Sequence, residues 1–195
     1  MEGGNQVMVD SWGFGLFSNS STSSVFVNGQ DIPVMNRTSS LLASTGYNKP
    51  NFFTRRRPAY TNIGMSQVLN VKAMGAAGDG KTDDTAVLNS ILDRAANMSS
   101  IVYFPFGVYV IKDTIRVPLG SRIIGQAWSQ IMATGTKFAD EKNPRVAVQV
   151  GQAGDIGIVE IQDMMFTVSG ATAGAILMEW NVHESTQGSA GMWGM

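Results

Sequence analysis

Between positions 101 and 178 the chain is a succession of short apolar runs, separated by glycine, proline or asparagine. They cover 101–104, 108–111, 114–117, 122–124, 130–132, 146–150, 156–166 and 175–178, with a spacing of about 7 to 15 residues. A two-sheet sandwich calls for longer strands, hairpin turns and steady in-out alternation, whereas most of these runs flank single bends. Short strands that bend and restart are suited to stacking in columns, each coil burying its apolar face against the next. The pattern therefore predicts an all-β fold, a right-handed parallel β-helix in which 122–125 and 146–149 lie about one turn apart.

One helix precedes these runs. Val87, Leu88, Ile91, Leu92 and Ala95 form a stripe of helical spacing over 84–97, opposite Asn89, Ser90, Asp93 and Arg94. Before it lies the glycine- and aspartate-rich segment 75–85, in which Thr82 or Asp83 can accept the first free amides and the paired aspartates suit the helix dipole. An open solenoid end exposes core and unpaired strand edges, so it needs a cap. The amphipathic helix stands in the sequence where that N-terminal cap belongs.

Composition removes several kinds of chemistry. Fourteen basic and fifteen acidic residues leave a net charge of −1, which gives no chain-wide attraction to nucleic acid or anionic lipid. No run of about 20 apolar residues is present, so no membrane-spanning helix is expected. Cysteine is absent and His183 is the single histidine, so neither a thiolate nor an imidazole-rich metal site can form, and no cofactor is expected. Charged residues reach only 15% and glycine numbers 22, as stacked short strands and their bends require. Upstream, 7–12 and 25–27 read as short strands with a serine-rich turn region between them, and periodicity vanishes from 31 to 66. Within that stretch Arg55-Arg56-Arg57 reads as a solvated or interface-bridging run rather than a nucleic-acid patch.

Gly75-Ala76-Ala77-Gly78-Asp79-Gly80-Lys81-Thr82-Asp83-Asp84-Thr85, the helix, and then Val102-Tyr103-Phe104-Pro105-Phe106-Gly107-Val108-Tyr109 resemble the opening of the pectate-lyase-like β-helix superfamily. Further on, Gly125-Gln126-Ala127-Trp128-Ser129-Gln130-Ile131, Val159-Glu160-Ile161-Gln162-Asp163-Met164-Met165-Phe166 and Thr172-Ala173-Gly174-Ala175 through Trp180-Asn181 are similar to fungal exo-β-1,3-glucanases of glycoside hydrolase family 55. Asp10-Ser11-Trp12-Gly13-Phe14-Gly15, Asn28-Gly29-Gln30-Asp31 and Asn51-Phe52-Phe53-Thr54-Arg55-Arg56-Arg57-Pro58 fit the same family, so the resemblance spans nearly the whole chain.

The resemblance implies a secreted, extracellular enzyme, a monomer in its full-length form, with two tandem β-helix domains and the glucan site where they meet. Residues 1–35 then correspond to the tail of a first β-helix, 36–66 to the interdomain connector and 67–195 to the first coils of a second, incomplete here. The implied reaction releases glucose from β-1,3-glucan ends with inversion, by a carboxylic acid and a water-positioning group roughly 6.5 to 9.5 Å apart. No position matches the family's acid motif. The catalytic residues are unassigned, the acid is expected outside this chain, and the chain alone is expected to be inactive.

Glu179-Trp180-Asn181 is the most suggestive cluster for substrate binding, because an indole can stack on a pyranose face while a carboxylate accepts hydroxyl protons. Equally, Trp180 can pack in a coil corner and Glu179 can pair with a neighbouring rung. Trp193 carries the same two readings. Asp79, Asp83 and Asp84 lack the alternating oxygen ligands of a calcium loop, and turn formation and capping account for all three. His183 beside Glu184 is either a base held by a carboxylate or a solvated side chain. Asp163 alternates with Gln162 and is expected on the opposite side, in a surface ladder. Asn19, Asn36 and Asn97 each open an Asn-x-Ser/Thr triplet compatible with glycosylation. Two other functions share the fold: a pectin-active hydrolase or lyase, and a non-catalytic carbohydrate-binding solenoid.

Overall fold

The computed structural model describes residues 11–20, 23–32, 41–43 and 52–195, which divide into two units, 1–53 and 54–195. In the first unit, β1 (Trp12–Ser20) and β2 (Ser23–Asp31) pair antiparallel, with Phe14 edge-on to Phe26 at 5.8 Å between ring centres. The strand expected at 7–12 thus starts at Trp12 and runs through the predicted turn, with Gly15 at φ +120° within it; positions 7–10 lie outside the described residues.

The second unit is a right-handed parallel β-helix. Its elements are β3 (Val68–Asn70), β4 (Asp79–Asp83), α1 (Thr85–Asn97), β5 (Ile101–Phe104), β6 (Val108–Ile111), β7 (Ile115–Val117) and β8 (Arg122–Ala133). They continue through β9 (Arg145–Val150), β10 (Ile156–Gly157), β11 (Val159–Val168), β12 (Ala175–Trp180), β13 (His183–Glu184) and β14 (Ala190–Trp193). Every pairing among these strands is parallel.

Three faces result. The first stacks β3, β5, the start of β8, the start of β11, and β14, so that Leu69, Val102, Ile123, Ile161 and Met192 form one column. On the second, β4, β6 and the distal halves of β8 and β11 align Tyr109, Ile131 and Phe166. The third stacks β7, β9 and β12, with Val117, Val150 and Trp180 in one row and Arg116, Gln149 and Glu179 in the next. The segments 122–125 and 146–149, expected one turn apart, therefore lie on different faces. The true coil partner of Arg122 is Glu160, because the chain takes a long excursion through β9 before it returns.

The apolar columns enclose one core that includes Val102, Phe104, Ile111, Val148, Val150 and Ile161. Phe104 meets Tyr109 edge-on at 5.1 Å, and the Tyr109 hydroxyl donates to the Pro105 carbonyl. The helix buries Leu88, Ile91, Leu92 and Ala95 against this core, as its stripe predicted. Full burial of each large aliphatic side chain contributes about 1.5–3 kcal/mol relative to exposure.

The aspartates before the helix are all taken by local donors. Asp79 accepts Lys81 and Thr82 amides and the Thr82 hydroxyl, and these donors bring its carboxyl down to about 2. Asp83 accepts the Thr85 amide at 3.0 Å, in agreement with the capping role expected of it. Asp84 occupies the N-cap position but points away from the helix, accepting the Ala77 and Gly78 amides at 2.7 and 3.0 Å.

Asp113, in the bend between β6 and β7, pairs with Lys137 and Arg145 from the next coil. Its partial burial opposes ionisation, but the Lys137 ammonium, the Thr114 amide and the Arg145 guanidinium outweigh that and bring its carboxyl from 3.8 to about 2. A carboxyl lowered by folding stabilises above the unfolded value, and the contribution is lost as pH falls through the folded value. Stability should therefore decline between about pH 4 and pH 2, by a modest amount because the pair is solvent-screened. Asp113→Asn should flatten that limb in thermal melts recorded across this range; parallel curves for variant and parent would refute the assignment.

Candidate functional site

The third face carries the cluster singled out in the sequence. Arg116, Gln149 and Glu179 follow one another in register on β7, β9 and β12, a polar ladder. The Gln149 amide donates to Glu179 Oε1 at 3.4 Å, and the Asn181 amide donates to the same oxygen at 2.5 Å. These two donors, Asn181 first, hold the Glu179 carboxyl below its ordinary value. Glu179 is accordingly an anionic acceptor, the opposite of a carboxyl kept protonated to act as an acid. Trp180 stands in the adjacent row with Val117 and Val150, packs against the core, and donates its indole N–H to the Val182 carbonyl at 2.9 Å.

A cleft of about 700 Å³ opens beside the ladder, between the end of α1 and the turn after β9. Asp93, Asn97, Arg116, Gln149, Gln152 and Asp155 are among the residues that line it. Asn181 reaches this rim through a 3.3 Å bond to the Gly151 carbonyl. Carboxylates, amides and a guanidinium around an open cleft form a set able to bind several hydroxyls at once.

Trp193 lies elsewhere, at the end of the first face. Its indole N–H donates to the Arg55 carbonyl at 3.3 Å, so it is one member of a separate cluster. The segment after Phe53 crosses the outer side of β11 as a strap. There Glu160, only 5% exposed, accepts the Tyr60 hydroxyl at 2.8 Å and pairs with Arg55 at 3.4 Å and Arg122 at 3.7 Å. Gln162, 2% exposed, accepts Arg57 Nε at 3.0 Å and donates to the Tyr60 hydroxyl at 3.2 Å. Arg57 also pairs with Asp163. Burial, together with the Glu160 carboxylate, pushes the Tyr60 phenol far above its ordinary value, so it remains a neutral donor.

This cluster corrects one expectation and decides between the two halves of another. Alternation placed Asp163 opposite Gln162, yet both meet Arg57, because Asp163 adopts φ +52° and turns the chain at that point. Arg55 and Arg57, read as solvated or bridging, bridge the strap to β11. Sequence reasoning missed Glu160, Gln162 and Tyr60 as a unit. The signal present was the alternation of Glu160 and Gln162 with buried Val159 and Ile161, two polar groups on one outer face awaiting donors.

The remaining candidates separate. His183 Nδ1 faces the Glu184 carbonyl at 2.9 Å, while the Glu184 carboxylate accepts the Gly188 amide at 2.5 Å, so the two side chains do not form a base-carboxylate pair. Asn97 ends α1 and donates to the Asp93 carbonyl. Asn36, and the side chain of Asn19, lie outside the described residues.

Parallel coils, a capping helix and polar outer ladders define a pectate-lyase-like β-helix protein. The family model described as "Rhamnogalacturonase A/epimerase, pectate lyase-like" matches residues 68–189, and the chain belongs to this family. A Penicillium expansum protein named "Non-secreted LysM effector LysM15" is 65% identical over 99% of the chain. A "Probable glucan endo-1,3-beta-glucosidase" of Arthroderma benhamiae is 50% identical over 72% of it, and a "Glucan 1,3-beta-glucosidase" of Cochliobolus carbonum is 36% identical over 73%. The chain spans only 14%, 16% and 18% of the length of these three relatives. Among the described residues no helix is long and apolar enough to cross a membrane.

Proposed function

We propose that this chain is part of a longer, two-domain glycoside hydrolase that cleaves β-1,3-glucan from chain ends with inversion, releasing glucose. The observation that carries this reading is the likeness to relatives whose names specify 1,3-β-glucan cleavage, at 50% and 36% identity. The ladder fits it as a wall of a sugar site. Glu179 and Arg116 supply charged hydrogen bonds to hydroxyls, Gln149 supplies both a donor and an acceptor, and Trp180 holds the rung in place from behind. No position in residues 1–195 matches the acid motif of the family, so on this reading the proton donor comes from another part of the enzyme and these residues alone do not hydrolyse glucan. Trp193, on the first face with the strap, is not part of this wall. Residues 1–35, 36–66 and 67–195 serve as the tail of a first β-helix, a connector and the opening coils of a second. The enzyme works outside the cell as a monomer.

The test is incubation of the full-length product with laminarin while proton NMR follows the first product. Early α-glucose as the sole released sugar supports exo attack with inversion. β-Glucose first removes inversion, and a ladder of oligosaccharides favours the endo mode named for the Arthroderma relative. Chelator-sensitive cleavage of polygalacturonate would instead favour the pectin-directed activity in the family description. Assay of culture medium against cell extract decides the location, since the Penicillium relative is named non-secreted.

A further inference from the structure

We propose that the corner between the first and second faces, carrying Phe106 and Trp128, is a second saccharide-binding site that takes a neutral glucan chain across two adjacent coils. In the choice of glucan as ligand it rests on the function proposed above; the site itself stands on the following geometry.

Strand β8 is longer than its neighbour at this corner. Ile124 pairs with Gln162 and Ser129 with Met164, so Gly125, Gln126, Ala127 and Trp128 stand opposite the single residue Asp163. The surplus bulges outward, the usual device by which a strand re-aims a side chain. Ala127 takes φ +56°, a left-handed conformation that L residues disfavour and that concentrates at functional sites. Both feet of the bulge are pinned. Buried Ser129 donates to the Phe104 carbonyl at 2.7 Å and accepts the Gln126 amide at 3.0 Å.

The bulge is held firmly and yet presents aromatic surface to solvent. Trp128 is 65% exposed, and Phe106, on the preceding coil, is 64% exposed. Gln126 joins them, its side-chain oxygen accepting the Phe106 amide at 3.0 Å and its side-chain NH₂ free to donate outward. Two sets of charges lie near the rings: the Lys72 ammonium donates to the Phe106 carbonyl at 2.8 Å, and Asp163, opposite the bulge, is closed in an ion pair with Arg57. Exposed ring faces next to a neutral amide, with the neighbouring charges already engaged by protein groups, match the alternating CH and OH faces of a neutral sugar. An anionic lipid surface would require a basic rim. The corner and the Arg116–Gln149–Glu179 ladder are on different faces, so the two sites are independent.

The test uses the full-length protein and its Trp128→Ala, Trp128→Phe and Phe106→Ala variants, with laminarin retardation in native gels and calorimetric titration of laminarihexaose. Trp128→Ala is expected to weaken retardation at least 10-fold, Phe106→Ala less, and Trp128→Phe little, while melting temperatures and turnover of short soluble oligosaccharides are unchanged. Undiminished retardation in a folded Trp128→Ala protein would overturn the site. Loss of binding to another glycan, with laminarin never bound or cleaved, would keep the site and reject the glucan function. Turnover of laminarin with retardation indifferent to all three variants would keep the function and reject the site.

Discussion

Gly125→Ala is expected to destabilise the β-helix by about 3 kcal/mol, near the upper end for overpacked positions. An added Cβ would stand 2.2 Å from the Asp163 carbonyl oxygen and 2.7 Å from the Met164 sulfur. The sulfur can swing away, but the carbonyl belongs to the neighbouring coil, and moving it disturbs the pairing of β8 with β11. For a domain of this size the loss corresponds to about 6–12 °C in melting temperature. Gly64→Ala is the control, since its Cβ meets nothing nearer than Ser66 Oγ at 3.8 Å, and it should change stability by less than about 0.5 kcal/mol. Equal melting of the two variants would show that the coils do not approach this closely at the corner.

Asp84→Ala should have an effect of similar size for the opposite reason, the removal of atoms. Asp84 is 1% exposed, and its two oxygens hold the Ala77 and Gly78 amides. A buried amide left without an acceptor costs about 1–3 kcal/mol, so the loss of both comes to about 3 kcal/mol. Asp84→Asn keeps one acceptor oxygen and should fall between. Asp79→Ala, at an exposed turn, should cost far less even though Asp79 accepts three bonds against two for Asp84, because water replaces them. Chemical denaturation of the four proteins orders them. A parent-like midpoint for Asp84→Ala would mean that the glycine loop does not depend on this carboxylate.

The helix was legible because its stripe is local: one face repeats every three to four residues, and nothing distant is needed to recognise it. The short strands were legible for the same reason, and most appear where apolar runs predicted them. The exceptions are instructive. The runs 122–124 and 130–132 read as two strands but form one, β8, because the tip 125–128 is a bulge tied to Phe104 and Phe106 of the preceding coil rather than a loop. Strands β13 and β14 were missed because His183-Glu184 and Ala190-Gly191 have no apolar pattern of their own, and each pairs with a strand more than twenty residues earlier.

Glu179, Trp180 and Trp193 stood out in the sequence as sugar-binding types, and the structure sorts them by direction. Glu179 faces outward in a ladder, Trp180 packs against the core in the next row, and Trp193 meets the strap. Tyr60 and Glu160 were invisible as partners because 100 positions separate them. No pattern of period two or 3.6 extends that far.

Composition and local periodicity were therefore enough to specify a capped solenoid without thiol or imidazole chemistry, since strand length, bends and an amphipathic stripe are properties of neighbouring residues. Coil register, the burial of Glu160 beneath the strap, and the outward turn of Trp128 were decided only in three dimensions. Each depends on which residue of the next coil lies opposite, and stacking fixes that through close approaches such as Gly125 against Asp163.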